Sequence, residues 1–217
     1  MYLSRIEINP YLPEARKVLA DTRELHIAVM RMFKGYHLDK TGRTTNRRNG
    51  SGSPLWRLDS ARDSLSLFVL SGDRPYTSVL ARDIGWDDAV TTMDYTPLLS
   101  SIRDGQVFQF RTTVNMTTRN GKIAKAVTSP NGKLVWLAER SRVSGFHVNS
   151  LPVVESLVDE FKKTDENDEM ITVTLDKTTV NGTLTVTNAD DFRRTLTSGF
   201  GRGRAYGCGL LTLAPAE

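Results

Sequence analysis

The stretch MITVTLDKTTVNGTLTV, residues 170–186, decides the fold class of this protein. It is rich in β-branched residues and predicts a β-strand, with Asn181-Gly182 as a turn or bulge signal. The acidic pair Asp190-Asp191 then predicts the start of a helix, DDFRRTLTSGF (190–200). After a glycine-rich loop, LLTLA (210–214) predicts a closing strand. The C-terminal part of the chain therefore contains a strand, a helix and a strand in succession.

The N-terminal half predicts the same kinds of element. MYLSRIEI (1–8) alternates in the manner of a strand, and EARKVLADTRELHIAVMRMF (14–33) has apolar residues at helical spacing, ending at Gly35. Three further strands are predicted at 55–60, 64–72 and 105–116, with a connection rich in proline, glycine and aspartate before the last of them. This half therefore reads as a strand, a helix and further strands.

The polar and basic segment 117–133 is interpreted as the boundary between two domains, 1–125 and 126–217. The second half begins with a short predicted helix at 134–143 and a strand at 145–150. Segment 151–169 stays open between helix and strand, because its apolar residues are helix-spaced but the run is rich in valine. Each half follows the order βαββαβ, so the predicted fold is α+β with two tandem ferredoxin-like domains.

Composition limits the classes of function. The 217 residues carry a net charge of +4, a weak indication of a polyanionic partner. The one cysteine, Cys208, leaves no intrachain disulfide and no thiolate cluster for zinc, and the few histidines form no H-E-x-x-H motif. A bound metal is therefore not expected. We find neither a signal peptide nor an apolar run of the ~20 residues that a membrane span needs, so a cytoplasmic protein is expected.

Two segments combine flexibility with positive charge. KTGRTTNRRNGSGSP (40–54) reads as a loop, either a solvated linker or a contact for phosphates. GFGRGRAYGCGLLTLAP (199–215) holds five glycines and two arginines, but its spacing and its place before a strand fit neither the dinucleotide fingerprint nor the P-loop. Two interpretations remain open: a loop that binds RNA phosphates, or a glycine-rich corner between helix and strand with incidental arginines.

The motifs MYLSRIEI, ELHIAVMRMF, NGTLTV and GFGRGRAYGCGLLTLAP together resemble the crRNA-processing endoribonuclease of the type I-E CRISPR Cascade complex, in the RAMP superfamily. The resemblance implies tandem ferredoxin-like domains and an enzyme that cuts the CRISPR repeat hairpin at the 3′ base of its stem. It also implies attack by the RNA 2′-OH, giving a 2′,3′-cyclic phosphate and a 5′-OH, without metal or small-molecule cofactor. The implied partners are the crRNA, which stays bound, and the other Cascade subunits.

The resemblance also assigns roles to residues of the first half. His26 matches the catalytic histidine of the family, although helical spacing alone would make it a boundary histidine at the edge of an apolar stripe. Arg23 stands where members often carry tyrosine, and an arginine is a poor proton shuttle. Our hypothesis gives proton transfer to His26 and electrostatic stabilisation to Arg23, with Tyr36 and His37 as helpers.

The RNA-binding residues implied by the resemblance lie in the second half. They are the glycine-loop residues Gly199, Gly201, Arg202, Gly203, Arg204 and Gly207, together with Lys162 and Lys163. The resemblance implies that segment 151–169 forms a protein hairpin whose basic tip, with these two lysines, enters the groove of the RNA stem. Cys208 is expected to be a packed small residue, and His147 a structural one. The departure at Arg23 keeps open a second function, a non-catalytic RAMP-fold subunit that binds crRNA. A metal-dependent nuclease is disfavoured because the sequence has no carboxylate cluster.

Overall fold

The computed structural model describes residues 1–33, 53–62, 64–120, 123–149, 153–165 and 167–216. The chain divides into two compact units. The N-terminal unit consists of Met1–Thr96 with Glu160–Thr174 and Ala205–Gly207. The C-terminal unit consists of Pro97–Asp159 with Leu175–Arg204 and Cys208–Glu217. No helix in the described part of the chain is long and apolar enough to cross a membrane.

The N-terminal unit is an antiparallel sheet with helices. Its elements are β1 (Tyr2–Ile8), α1 (Pro13–Ala20), α2 (Thr22–Arg31), β2 (Leu55–Ala61), β3 (Ser64–Ser71), α3 (Thr77–Ile84) and β4 (Gly85–Asp94). The strand order is β2-β3-β1-β4, and each neighbouring pair is antiparallel. Alternate residues of β1, among them Ile6 and Ile8, enter a core that also receives Leu25 and Val29 from α2. This is the predicted βαββαβ arrangement.

The predicted single helix over 14–33 is wrong, since the structure has two helices there. Asp21 lies between them with an extended backbone, and its side chain accepts a hydrogen bond from the backbone N–H of Arg23. An aspartate in this position is a strong N-cap, because its carboxylate satisfies an N–H that the helix leaves without a partner. The break therefore gives α2, the helix that carries His26, its own start.

The C-terminal unit repeats the topology with additions. Its elements are α4 (Thr96–Ser101), β5 (Val107–Asn115), β6 (Thr117–Asn120), β7 (Ile123–Ala126), α5 (Pro130–Arg142), β8 (Phe146–Val148), α6 (Ala189–Ser198) and β11 (Leu211–Pro215). The strands β9 (Val153–Thr164) and β10 (Met170–Val186) and a 3₁₀ turn (Arg204–Tyr206) are divided between the units, since Glu160–Thr174 and Ala205–Gly207 belong to the N-terminal unit. The strand order is β11-β5-β10-β8, and β9 also pairs with β10. Strands β6 and β7 form a separate hairpin. The predicted α+β class with two ferredoxin-like sheets is confirmed.

The first division of the chain falls between Thr96 and Pro97, whereas the sequence analysis put the domain boundary between residues 125 and 126. The difference arises because α3 and β4 lie in the segment that was read as a connection. With β4 missed, the run 105–116 became the last strand of the first domain. In the structure this run forms β5, which pairs with β10 and β11 of the second sheet.

Two further sequence expectations concern β9 and β10. Segment 151–169, left open between helix and strand, contains β9 and pairs with β10 as a hairpin. The turn or bulge predicted at Asn181-Gly182 is wrong, because β10 pairs with β5 in one continuous register through both residues. The Asn181 side chain accepts a hydrogen bond from Arg111 Nη1 across the strands, at 2.9 Å, so the pair stabilises the sheet.

Candidate functional site

His26 lies in the middle of α2, on the side of the helix that faces the core. It is only 4 % exposed, and its helical neighbours Leu25, Val29 and Met30 are buried as well. The α2 sequence thus places an imidazole at the margin of a packed apolar stripe, as the sequence analysis expected. A side chain held in this way has little rotational freedom, which suits a group that must be positioned for proton transfer.

Aromatic contacts connect His26 with two other segments of the N-terminal unit. The imidazole and the ring of Tyr206 have centroids 6.1 Å apart at an interplanar angle of 59°. The Tyr206 ring packs in turn on Phe161 of β9, at 4.6 Å. Tyr206 therefore lies between the helix that carries His26 and the outer part of the β9–β10 hairpin. This brings together three regions that the sequence analysis had singled out separately.

Arg23, the other proposed catalytic residue of α2, is half-buried in the first turn of the helix. Its guanidinium Nε is buried and makes no hydrogen bond within the described residues. A guanidinium with unused donors can stabilise a negative charge, so the electrostatic role stays a hypothesis that the geometry allows. Tyr36 and His37, proposed as helpers, lie outside the described residues, as does most of loop 40–54.

The glycine loop has a structural reason for its glycines. Each of its five glycines has a positive φ, a region that other residues rarely adopt. At Gly207 a Cβ atom would lie only 2.8 Å from the ring of Trp56, a fully buried residue. The loop closes on itself through a hydrogen bond from Phe200 N–H to the Gly209 carbonyl, 2.8 Å. The corner interpretation thus accounts for these glycines, and their predicted contact with RNA stays a prediction.

The backbone and cations of the loop are placed differently. The Gly199 N–H donates to the Thr195 carbonyl at the end of α6, so it is engaged within the protein. The side chains of Arg202 and Arg204 are exposed, and the Arg204 Nε makes a long contact of 3.4 Å with the Gly201 carbonyl. Gly201 packs beside Trp136, and Gly203 lies beside Cys208. The two arginines are therefore the groups of this loop best placed for an external anion.

Lys162 and Lys163 follow Phe161 on β9, where Lys162 is exposed and Lys163 is half-buried. The acidic connection beyond them has a local structural role. Asp165 Oδ1 accepts hydrogen bonds from the backbone N–H groups of Asn167 (2.8 Å) and Glu169 (2.9 Å). This aspartate shapes the turn of the hairpin, which gives a reason for at least one acidic residue beside the lysines.

Cys208 is fully buried, and burial raises the pKa of its thiol to about 12. A thiol with such a pKa is protonated at neutral pH and is not a nucleophile. His147 lies exposed on β8. Within the described residues, no three His, Cys, Asp or Glu side chains cluster so as to hold a metal ion.

Neither Tyr206 nor Phe161 is marked by the sequence as a member of this site. Tyr206 stood in the quoted glycine stretch, but an aromatic residue in a loop carries no signal of its partner. Only the distances to His26 and Phe161 reveal its place.

Comparison with known proteins gives a family match over almost the whole chain. A family model described as "CRISPR associated protein" matches residues 1–215. The chain is also 28% identical to the CRISPR-associated endoribonuclease Cse3 of Thermus thermophilus, in an alignment 226 positions long that covers 99% of this chain and all of the relative.

Solved structures agree with this match. A CRISPR endoribonuclease Cse3 bound to a 19-nucleotide RNA has a TM-score of 0.82 and 24% identity, covering 99% of this chain and all of the other, which shows the shared fold. Thermus thermophilus Cse3 bound to an RNA representing a pre-cleavage complex has a TM-score of 0.74 and 25% identity, covering 99% of this chain and 98% of the other.

Proposed function

This chain belongs to the CRISPR-associated protein family, and from that membership we propose that it is an endoribonuclease that processes CRISPR RNA. It binds the stem-loop of the CRISPR repeat and cuts at the 3′ base of the stem. The relative that covers the whole chain is named an endoribonuclease, which supports this reaction. The observation that carries the proposal is the packing of His26, Tyr206 and Phe161 within the N-terminal unit.

The proposed chemistry is an internal transesterification. The 2′-oxygen attacks the adjacent phosphorus, the bond to the 5′-oxygen breaks, and a 2′,3′-cyclic phosphate and a 5′-OH remain. The proton lost by the 2′-OH is balanced by one gained at the leaving oxygen. His26 is the proposed acid or base for these transfers, and Arg23 is proposed to stabilise the charge on the phosphorane. No step requires a metal ion.

Tyr206 is proposed as a positioning residue. Its ring contacts both the imidazole and the ring of Phe161, and Phe161 is only 5 % exposed. Because Phe161 immediately precedes Lys162, the same contact also connects the imidazole with the proposed RNA-binding lysines. A shift of the hairpin would thus be transmitted to His26 through one ring.

The cleaved RNA is proposed to stay bound, with the protein as a subunit of Cascade in the cytoplasm, where CRISPR transcripts are made. This part rests on the family resemblance of the sequence motifs. Co-purification of the protein with a mature crRNA and the other Cascade subunits would support it, and isolation of the protein free of RNA after cleavage would contradict it.

The test of the reaction is single-turnover cleavage of the host's repeat hairpin in EDTA. We expect cleavage, with a 2′,3′-cyclic phosphate on the upstream product. His26→Ala should lower the rate about 10²–10⁴-fold, as the loss of a positioned acid or base does, with a dissociation constant close to that of the unaltered protein. His147→Ala, which alters an exposed histidine of β8, is the matched control and should cleave normally.

A second function, an RNA-holding subunit without catalysis, is favoured by two observations: the near-complete burial of His26 and the arginine at position 23. Tight binding of the hairpin by the unaltered protein without any cleavage would establish it. Cleavage that EDTA abolishes and Mg²⁺ restores would contradict both functions and indicate a metal-dependent nuclease.

A further inference from the structure

A second group of cations lies within the C-terminal unit. A pocket of about 390 Å³ is lined by Thr117, Thr118, Arg119, Trp136, Arg140, Gly201 and Arg202. Of its three arginines, only Arg202 was singled out in the sequence. Arg119 lies on β6 and Arg140 near the end of α5, so three separate segments contribute one guanidinium group each.

The fold accounts for this meeting of three segments. An isolated antiparallel bridge between Asn115 and Arg202 holds the glycine loop beside the end of β5, where β6 begins. The indole Nε1 of Trp136 donates to the Thr117 carbonyl at 3.0 Å and so attaches α5 to the first residue of β6. The glycine loop, β6 and α5 are thus held together by hydrogen bonds that do not involve the arginine side chains.

Local periodicity then directs the arginines. Arg119 is two residues beyond Thr117 on β6, and residues at this spacing point to the same face of a strand. Arg140 is four residues beyond Trp136 on α5, which places it one helical turn further along the same face. Trp136 itself packs edge-on against Phe200, with centroids 5.7 Å apart, and forms a rigid wall of the pocket.

The charge of the pocket is not neutralised by the protein. All three arginines are exposed residues, and among the described residues no carboxylate oxygen lies within ion-pair distance of their guanidinium groups. The arginines of α6 contrast with them, because Arg193 and Arg194 pair with Asp190 and Asp191 one turn earlier. Three like charges around one open pocket repel one another, and an anion between them would relieve that repulsion.

We propose that this three-arginine pocket binds a phosphodiester group of the RNA backbone. The proposal rests on the proposed function for its ligand, since an RNA-processing protein meets phosphates in a continuous chain. Guanidinium groups match phosphate oxygens in geometry and can donate two hydrogen bonds to one group. Contacts of this kind position the RNA without reading its sequence. Arg119 and Arg140 therefore join Arg202 as RNA-binding residues.

The test is equilibrium binding of the repeat hairpin over a series of salt concentrations, in EDTA. The variant Arg119→Gln/Arg140→Gln removes two charges from the pocket and keeps Arg202. We expect its dissociation constant to rise about tenfold at 0.15 M salt. The slope of log affinity against log salt should become shallower by about one at most, because the pocket neutralises a single RNA phosphate and Arg202 alone is left to do so.

Two control variants make the result specific. Arg142→Gln removes an exposed arginine from the same last turn of α5, outside the pocket, and should bind within about twofold of the unaltered protein. Arg119→Lys/Arg140→Lys keeps both charges and should keep most of the salt dependence. A fall in affinity in Arg142→Gln equal to that of the double Gln variant would indicate a general effect of net charge and overturn the pocket.

The remaining outcomes separate the pocket from the proposed function. An unchanged dissociation constant and salt slope in the double Gln variant would overturn the pocket, whether or not the hairpin is cleaved. A further outcome is that inorganic phosphate raises the melting temperature of the unaltered protein but not that of the double Gln variant, while both bind the RNA equally well. That result would make the pocket a site for free anions and overturn the RNA contact. If the unaltered protein never cleaved the hairpin but the double Gln variant still bound it more weakly, the pocket would be supported and the proposed endoribonuclease would be overturned.

Discussion

The four main strands of each sheet, in chain order, are β1, β2, β3 and β4 in the N-terminal unit and β5, β8, β10 and β11 in the C-terminal unit. Counted this way, both sheets have the order second, third, first, fourth, but their third strands differ. In the N-terminal unit this strand is β3, 8 residues long, which pairs with β1 on one side and β2 on the other. In the C-terminal unit it is β10, 17 residues long, which pairs with β5 only from Lys177 to Thr185. Its first residues lie beyond that pairing, and β9 is the strand that pairs with them as a hairpin.

A buried ion pair of each unit shows a second difference, in how many elements it connects. In the N-terminal unit, Arg57 and Asp59 form a two-point pair within the single strand β2, at 2.7 and 2.8 Å. In the C-terminal unit, Lys133 of α5 donates to Asp176 of β10 and to Ser156 of β9, both at 2.9 Å. The first pair is local, whereas the second holds a helix against both strands at the base of the extended hairpin.

This comparison teaches that one topology can serve different purposes. The N-terminal unit carries His26 on a helix against its core. The C-terminal unit carries the additions: most of the long β10, the separate β6–β7 hairpin and the three-arginine pocket. A fold does not determine a function, which depends on the sites that loops and extensions add to it. Substitutions in each unit test this division.

The largest effect is expected from Lys133→Met. The lysine is 5 % exposed, so its loss leaves the Asp176 carboxylate buried without its cation and should lower the free energy of unfolding by about 3–5 kcal/mol in urea denaturation. Adding Asp176→Leu should recover most of the loss, because a buried pair can be replaced by apolar residues at little cost.

The comparison of the two ion pairs gives this prediction its control. Arg57→Met should also destabilise the protein, but only Lys133→Met should speed amide hydrogen exchange in β9. Equal exchange in β9 for the two variants would show that the C-terminal pair is as local in effect as the N-terminal one.

A smaller effect is expected from Gly207→Ala. Both Gly207 and Gly105 have a φ of +80°, but a Cβ atom at Gly207 would meet the buried Trp56 ring, whereas one at Gly105 would have no described atom within 4 Å. Gly105→Ala should cost about 1–2 kcal/mol for its backbone conformation alone. Gly207→Ala should cost a further 1–3 kcal/mol, roughly, for the steric overlap. Equal losses in thermal unfolding would contradict a tight contact with Trp56.

The smallest effect is expected from Tyr206→Leu, and it rests on the proposed function. Removing the ring that packs between His26 and Phe161 should lower the single-turnover cleavage rate about tenfold through misplacement of the imidazole. Tyr206→Phe keeps the ring and should cleave at nearly the normal rate. A fall in affinity with an unchanged rate in Tyr206→Leu would instead place Tyr206 with the RNA-binding residues of the chain.

The elements that the sequence predicted are those with strong local patterns. The alternation of β1, the apolar spacing of α2 and the β-branched run of β10 each carry their own signal. Strand β4, GWDDAVTTMD, contains a glycine and three aspartates, which are rare in strands, and was missed. Its pairing with β1 stabilises it instead. Asp21 also had to be seen in its extended conformation before the break between α1 and α2 was evident.

By itself, the sequence determined the α+β class, the family and the choice of His26 as the proposed catalytic residue. Periodicity and motifs are properties of neighbouring residues, so they can be read along the chain. Only the tertiary structure decided that Tyr206 meets His26 and Phe161, and that Arg119, Arg140 and Arg202 share one pocket. Strand pairing and core packing bring distant segments together, and no local pattern states which side chains then become neighbours.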